Sequence, residues 1–240
     1  DFTFQYPMSQ VKNLQQISLH LKKGQTLGIV GKTGAGKTTF IRQLLMEYPL
    51  GNGQIVIGDV DLSKLTKEQV LDWIGYVPQD HVLFSRTIRE NILFGKEDAT
   101  EEDIRDAIRL AYFEKDLAHL PMGLETLVGE KGVSLSGGQK QRVSIARALI
   151  KNPEVLILDD SLSAVDAKTE SKIIENIQTE RAGKTTIIST HRLSGIQHAD
   201  EIIVLDEGSI VERGTHDELL ALGGWYKEQY DRQQLEEVSE

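Results

Sequence analysis

The chain is a succession of short apolar runs separated by polar, glycine-punctuated turns. Between Phe2 and Leu62 the runs DFTFQY, QISLHL, TLGIV and GQIVIGDVDL are broken by Gly24, Gly51, Gly53 and Gly58. Runs of this kind predict antiparallel strands wrapped around the strand TLGIV and the helix that follows it. The pattern then changes period. From about His81 to Leu149 it is mostly helical. TEEDIRDAIRLAYFEKDLAHL opens on Thr100, a suitable N-cap, with acids in its first turn. Ile104, Ala107, Ile108 and Ala111 form one apolar stripe along it. Strand-type runs then return as VLILDD, TTIIST and EIIVLDE, with a helix predicted over Lys168 to Glu180 between the first two. That alternation predicts parallel strands with crossover helices. GSIVERG adds a small strand, and Trp225 to Glu240 reads as a charged helical tail that frays at its end.

The turn after TLGIV carries the chemistry. Gly31 to Thr38 reads GKTGAGKT, which fits the phosphate-binding pattern G-x-x-x-x-G-K-[ST] at every fixed position. A helix is predicted over Thr39 to Tyr48, with Ile41, Leu44 and Leu45 at helical spacing. A strand, a glycine turn and a helix N-terminus make an anion cradle of converging backbone N–H groups. Gly31, Gly34 and Gly36 let the backbone close on a phosphate. Lys37 places a cation near the β- and γ-phosphates, and Thr38 offers a hydroxyl to Mg²⁺. Lys32, Thr33, Ala35 and Thr39 complete the predicted nucleotide-contacting stretch. Asp159, at the tip of the apolar run VLIL, is the carboxylate expected to hold Mg²⁺ through water. The predicted fold class is α/β: a P-loop NTPase core, an antiparallel β subdomain and an inserted α-helical subdomain at about 81–150. Residues 1–240 are read as one domain with a tail at about 225–240.

Composition narrows the partners. With 240 residues and 39% hydrophobic content the chain can bury a sizeable core. Its net charge of −10 argues against non-specific nucleic-acid binding, which needs phosphate-neutralising cations. It has no cysteine, which fits a reducing compartment. No apolar run approaches the ~18 residues of a membrane span, and there is no signal-peptide pattern. The chain starts at Asp1, inside a strand-type run, and is read as a fragment or processed piece.

A second motif group names the class of machine. LSGGQ, Leu135 to Gln139, is followed by KQRVSIARAL, and VLILDD follows soon after. In this order the motifs resemble the ATP-binding cassette (ABC) family, in particular the nucleotide-binding domain of an exporter, over essentially the whole chain. FSRTIRENILFG, Phe84 to Gly95, and VGEKG, Val128 to Gly132, resemble exporters more than importer ATPases. The resemblance implies that Tyr6 stacks on adenine. It implies that Gln79 is the lid glutamine touching Mg²⁺ or the attacking water, that His191 is the switch histidine on the γ-phosphate, and that SAVD, Ser163 to Asp166, acts across a dimer. Ser136 followed by Gln139 also fits a capping box, so Ser136 has a structural role compatible with a functional one. The family implies that Ser136, Gly137, Gly138 and Gln139 complete an ATP site in trans. It further implies ATP and Mg²⁺ as ligands, transmembrane domains N-terminal to this chain, and a location at the cytoplasmic face of a membrane.

One position departs from the family pattern. The usual base is a Glu directly after the strand-ending aspartate; here it is Asp160. The carboxylate is kept with about 1 Å less reach, and misplacement on that scale can cost on the order of 100-fold. Either Asp160 serves as a weak base, or the chain carries the impaired site of an asymmetric pair. LILDDSLSAVDAKTE resembles one subunit of heterodimeric bacterial multidrug exporters, whose partner keeps the Glu. Competing classes are a soluble cassette ATPase of DNA repair or chromosome organisation, a P-loop kinase, and an importer ATPase. The first needs a long coiled-coil insert, which the sequence lacks, and the second has no use for LSGGQ.

Overall fold

The computed structural model describes residues 1–239. They fall into two compact units. The first runs from Asp1 to Ile74 and resumes at Thr185; the second is Gly75–Lys184. In the first unit β1 (Phe2–Phe4) pairs antiparallel with β2 (Leu14–Ile17). Then come β3 (Thr26–Gly31), α1 (Lys37–Leu44), the two-residue strands β4 (Val56–Ile57) and β5 (Val60–Asp61), and α2 (Lys67–Trp73). β6 (Ile74–Val77) leads from the first unit into the second. The second unit continues through α3 (Ile88–Leu93), α4 (Glu101–Leu110), α5 (Glu114–His119), α6 (Gly137–Ile150), β7 (Val155–Asp159) and α7 (Ala167–Glu180). The chain returns to the first unit as β8 (Thr185–Ser189), β9 (Glu201–Asp206), β10 (Ser209–Gly214), α8 (His216–Leu222) and α9 (Trp225–Ser239).

The first unit is built on four strands in the order β10-β9-β3-β8. β3 runs parallel to both β8 and β9, and β10 returns antiparallel to β9. Leu27, Ile29 and Val30 of β3 and Ile202 to Leu205 of β9 are all buried. Unbroken apolar strands of this kind are covered on both faces, which is why they lack the alternation of a half-exposed sheet. In the second unit β7 lies beside β6, with Leu156, Ile157 and Leu158 buried.

Helix starts follow local chemistry. Thr66, Thr87, Thr100, Ser136 and Thr215 each form a reciprocal capping box with the residue three positions on, and Asp166 caps α7. α1 differs. It begins after Gly36, whose φ of 115° places it in the left-handed region, and no side chain caps it.

Three boundaries differ from the sequence reading. α1 starts at Lys37 and ends at Leu44, because Met46 takes a left-handed turn (φ 54°) and Gln43 Oε1 accepts the Gly51 N–H, bending the chain away. The segment from Thr100 to Leu120 is two helices. Tyr112 is left-handed (φ 56°), its carbonyl accepts from Arg142, and Phe113 is buried beneath the Arg142 guanidinium. QISLHL forms a strand only as far as Ile17.

Candidate functional site

The P-loop region belongs to the first unit. The N–H groups of Thr38 and Thr39 lie in the first turn of α1, where a helix offers no internal acceptor. With no side chain at Gly36 to cap them, that turn presents donors to an anion. Lys37 is 8% exposed, and its ammonium folds onto the carbonyls of Gly31 and Lys32. A buried cation satisfied by loop carbonyls suits the centre of a phosphate cradle. Thr38 and Lys32 to Gly34 are exposed, whereas Gly31 and Ala35 are buried.

Tyr6 stands next to this helix. Its hydroxyl is 3.0 Å from Thr39 Oγ1, and Arg42 donates to it at 3.4 Å. Its ring is held edge-on between Phe4 and Tyr48, each with centroids 4.9 Å away. The half-buried ring is thus a fixed apolar shelf beside the P-loop, suited to a flat base. Thr39 is buried and serves to hold Tyr6.

The strand register brings a third predicted residue to the same edge. Ile29 of β3 lies opposite Ser189 of β8, so Gly31 and His191 each follow two residues beyond a matched pair. The Thr190 N–H donates to the Ile29 carbonyl at 3.2 Å. His191 is exposed and shares a cleft of about 550 Å³ with Gly31, Lys32 and Thr33. The site therefore opens beyond the carboxyl ends of parallel strands, where ligands of α/β sheets sit.

The second unit holds the remaining residues. Asp159 ends β7, and its carboxylate accepts from the Tyr76 hydroxyl at 3.3 Å. Asp160 follows with a left-handed backbone, φ 49°. The buried Ser161 hydroxyl donates to the Val77 carbonyl at 2.6 Å, tying this turn to the strand that leads to the exposed Gln79. Ser136 Oγ accepts from Gln139 N at 3.2 Å, and Gln139 Oε1 accepts from Ser136 N at 2.9 Å. The capping box is formed, and the N–H groups of Gly137 and Gly138 occupy the first turn of α6. At Gly138 a Cβ would lie 2.8 Å from the Ala164 carbonyl oxygen, so only glycine lets α6 approach the SAVD loop.

Among the described residues no three His, Cys, Asp or Glu side chains gather into a metal cage. Mg²⁺ usually takes only one or two carboxylates with substrate phosphates, and the Thr38 hydroxyl and the Asp159 carboxylate are each an oxygen donor of the kind it binds.

A sequence model described as "ABC transporter" matches residues 14–163. The chain belongs to the ABC transporter family. It is 64% identical over 233 residues to a probable multidrug resistance ABC transporter ATP-binding/permease protein, YheI, of Bacillus subtilis; the match covers 97% of this chain and 40% of that protein. It is 46% identical to the multidrug resistance-like ATP-binding protein MdlA of Escherichia coli, with the same coverage of 97% and 40%. A solved structure of a bacterial Atm1-family ABC exporter with ATP bound superposes with a TM-score of 0.92 at 40% identity, over 97% of this chain and 41% of that one. The chain thus spans about two fifths of its relatives, and its fold is the ABC ATPase fold. No helix among the described residues is long and apolar enough to cross a membrane.

The ABC fold uses residues that motif reading passed over. Gln141 is 3% exposed and bridges α6, the helix opened by the LSGGQ signature, to the SAVD loop: its amide donates to Ser163 Oγ at 3.0 Å and accepts from the Ala164 N–H at 2.9 Å. It shares a helix face with Ile145 and Ala148, and a polar residue inside an apolar stripe is a readable signal. Asp116 accepts from Gln139 Nε2 at 3.1 Å and from Arg142 at 2.5 and 3.1 Å. Burial alone raises its pKa, but those hydrogen bonds and the Arg142 charge hold it below the ordinary carboxylate range. Nothing in the sequence around Asp116 marks it among the other charged residues of α5.

Proposed function

We propose that this chain is the ATP-binding and ATP-hydrolysing domain of a multidrug-type ABC exporter, and one member of an unequal pair. The fold beside an exporter structure, the multidrug names of its relatives and the complete phosphate-binding set support the first part. Asp160 carries the second. It is the one shortened group in an otherwise full set, and it sits on a left-handed backbone, φ 49°, a strained conformation of the kind that clusters at functional sites.

In this reading Tyr6 stacks on adenine. Lys37 and the first turn of α1 bind the β- and γ-phosphates, with Lys32 to Gly36 wrapping them. Thr38 and Asp159 would each supply an oxygen to Mg²⁺, Gln79 would touch the ion or the attacking water, and the bound ion would neutralise charge on the phosphate oxygens. Water attacks the γ-phosphorus, the bond to the bridging oxygen of ADP breaks, and Asp160 accepts the proton from the water. His191 hydrogen-bonds the γ-phosphate. Ser136, Gly137, Gly138 and Gln139 act in trans, completing the ATP site of a second, non-identical domain that keeps Glu at the base position. Transmembrane domains N-terminal to this chain would convert closure into export at the cytoplasmic face of the membrane. The acidic net charge argues against nucleic acid as a partner.

The nucleotide part is tested by titrating the chain with Mg-ATP in a calorimeter. Lys37→Ala should weaken binding by about 100-fold or more, since a buried charge-assisted contact worth ~3 kcal/mol is lost. Unchanged affinity would sink the P-loop assignment.

A further inference from the structure

The cleft beside the P-loop has a wall that none of the nucleotide motifs supplies. It is α9, whose Trp225, Glu228 and Arg232 face the same space as Lys32, Thr33 and His191. One side chain of this helix reaches the loop that carries His191. Gln233 Nε2 donates to the His191 carbonyl at 2.7 Å, and Gln233 Oε1 accepts from the Leu193 N–H at 2.9 Å. A single planar amide thus spans the backbone on both sides of Arg192. Gln233 is half-buried while its neighbours Arg232 and Gln234 are exposed.

The helix that delivers this amide is itself anchored. Glu212 accepts from the N–H groups of Trp225 and Tyr226 at 2.8 and 3.4 Å, fixing the first turn of α9. Tyr226 is fully buried, with its hydroxyl 2.6 Å from His216 Nδ1. Gln233 lies about two turns further along, so its position follows from that anchor. The other side of the loop is tied to β3 by the Thr190 N–H, and Thr190 Oγ1 accepts from the Arg192 N–H at 3.0 Å. The exposed His191 ring therefore leaves a backbone held from both sides.

We propose that Gln233 is a positioning residue for His191, and that α9 thereby sets the direction of the histidine ring toward the γ-phosphate. This rests on the reading of His191 given above. Gln233 acts only through the loop and touches no reacting atom.

The test uses the full transporter that contains this chain. An azido-ATP photolabel on this chain is competed with ATP and with ADP, giving the preference of its own site for the γ-phosphate without any need for turnover. His191→Ala should lower the ATP-over-ADP preference by about 10-fold, the size of one charge-assisted hydrogen bond. Gln233→Met keeps length and stem but removes both hydrogen bonds; it should lower the preference by roughly 3- to 5-fold and leave ADP affinity unchanged. Gln233→Glu keeps the acceptor for Leu193 and loses the donor to His191, so it should fall between Met and wild type. In the His191→Ala background Gln233→Met should add nothing, because the two act as one unit. Equal loss of ATP and ADP affinity in Gln233→Met would mean general damage and would overturn the proposal, as would a loss additive with His191→Ala. If His191→Ala has no effect, the reading of His191 falls and the proposal with it. If His191→Ala has its effect and Gln233→Met has none, only the role of Gln233 falls.

Discussion

The P-loop turn and the LSGGQ turn each start a helix, α1 and α6, and they are held by different means. At the P-loop the shape lies in the backbone. Gly36 starts α1 with a left-handed φ and no side-chain cap, β3 feeds the loop from a buried sheet, and the buried charged group, Lys37, is satisfied by loop carbonyls. At the signature the shape lies in side chains. Ser136 and Gln139 cap one another, Gln139 is tied to Asp116, and Gln141 ties the helix to Ser163 and Ala164. A turn specified by backbone tolerates change in distant side chains. A turn specified by a hydrogen-bond network inherits the fate of every member.

The contrast breaks most visibly at Asp116. Asp116→Ala leaves the mostly buried Arg142 guanidinium without its carboxylate, and should cost about 3 kcal/mol by denaturant unfolding. ATP affinity at the chain's own P-loop should stay within about two-fold, since the hydrogen bonds of Asp116 go to Gln139 and Arg142 and not to the P-loop. The folded pKa of Asp116 is depressed, so its stabilisation is complete above the unfolded value of about 3.9 and is lost as pH falls through the folded value. The stability gap between wild type and Asp116→Ala should therefore narrow as pH falls below the unfolded value. A gap that stays constant, or a P-loop that weakens with it, contradicts the contrast.

Smaller substitutions sharpen it. Gly138→Ala drives a methyl to 2.8 Å from the Ala164 carbonyl and should cost about 2 kcal/mol, whereas at Gly137 the nearest atom is the Ala164 methyl at 3.4 Å. Thermal denaturation of the two variants should separate them clearly, and equal losses would mean that α6 does not depend on that approach. Ser136→Ala should cost about 1 kcal/mol through the lost cap and leave the chain's own ATP affinity intact. A fall in that affinity would place Ser136 in cis, against the trans reading.

The P-loop was legible because its requirements are local: a strand, glycines, a lysine and a helix in one stretch of sequence. The capping boxes at Thr100 and Ser136 were legible for the same reason. The division of the Thr100–Leu120 segment into α4 and α5 was not, because Tyr112 is turned by Arg142, thirty residues on, and no local pattern reports that bond. Asp116 and Gln233 look like solvated polar residues until their partners are placed, at Arg142 and at the His191 loop. Gln141 could have been found, since it interrupts an apolar stripe.

The central claim is that one methylene separates this chain's own site from an efficient one. The direct measurement is single-turnover ATP hydrolysis at that site, in the full transporter with the partner's catalytic base removed. Wild type should turn over slowly, and Asp160→Glu should raise the rate about 10- to 100-fold by restoring the reach of the carboxylate. A wild-type rate already in the ~1–100 s⁻¹ range of phosphoryl-transfer enzymes, unchanged by Asp160→Glu, would contradict the account and make Asp160 a competent base.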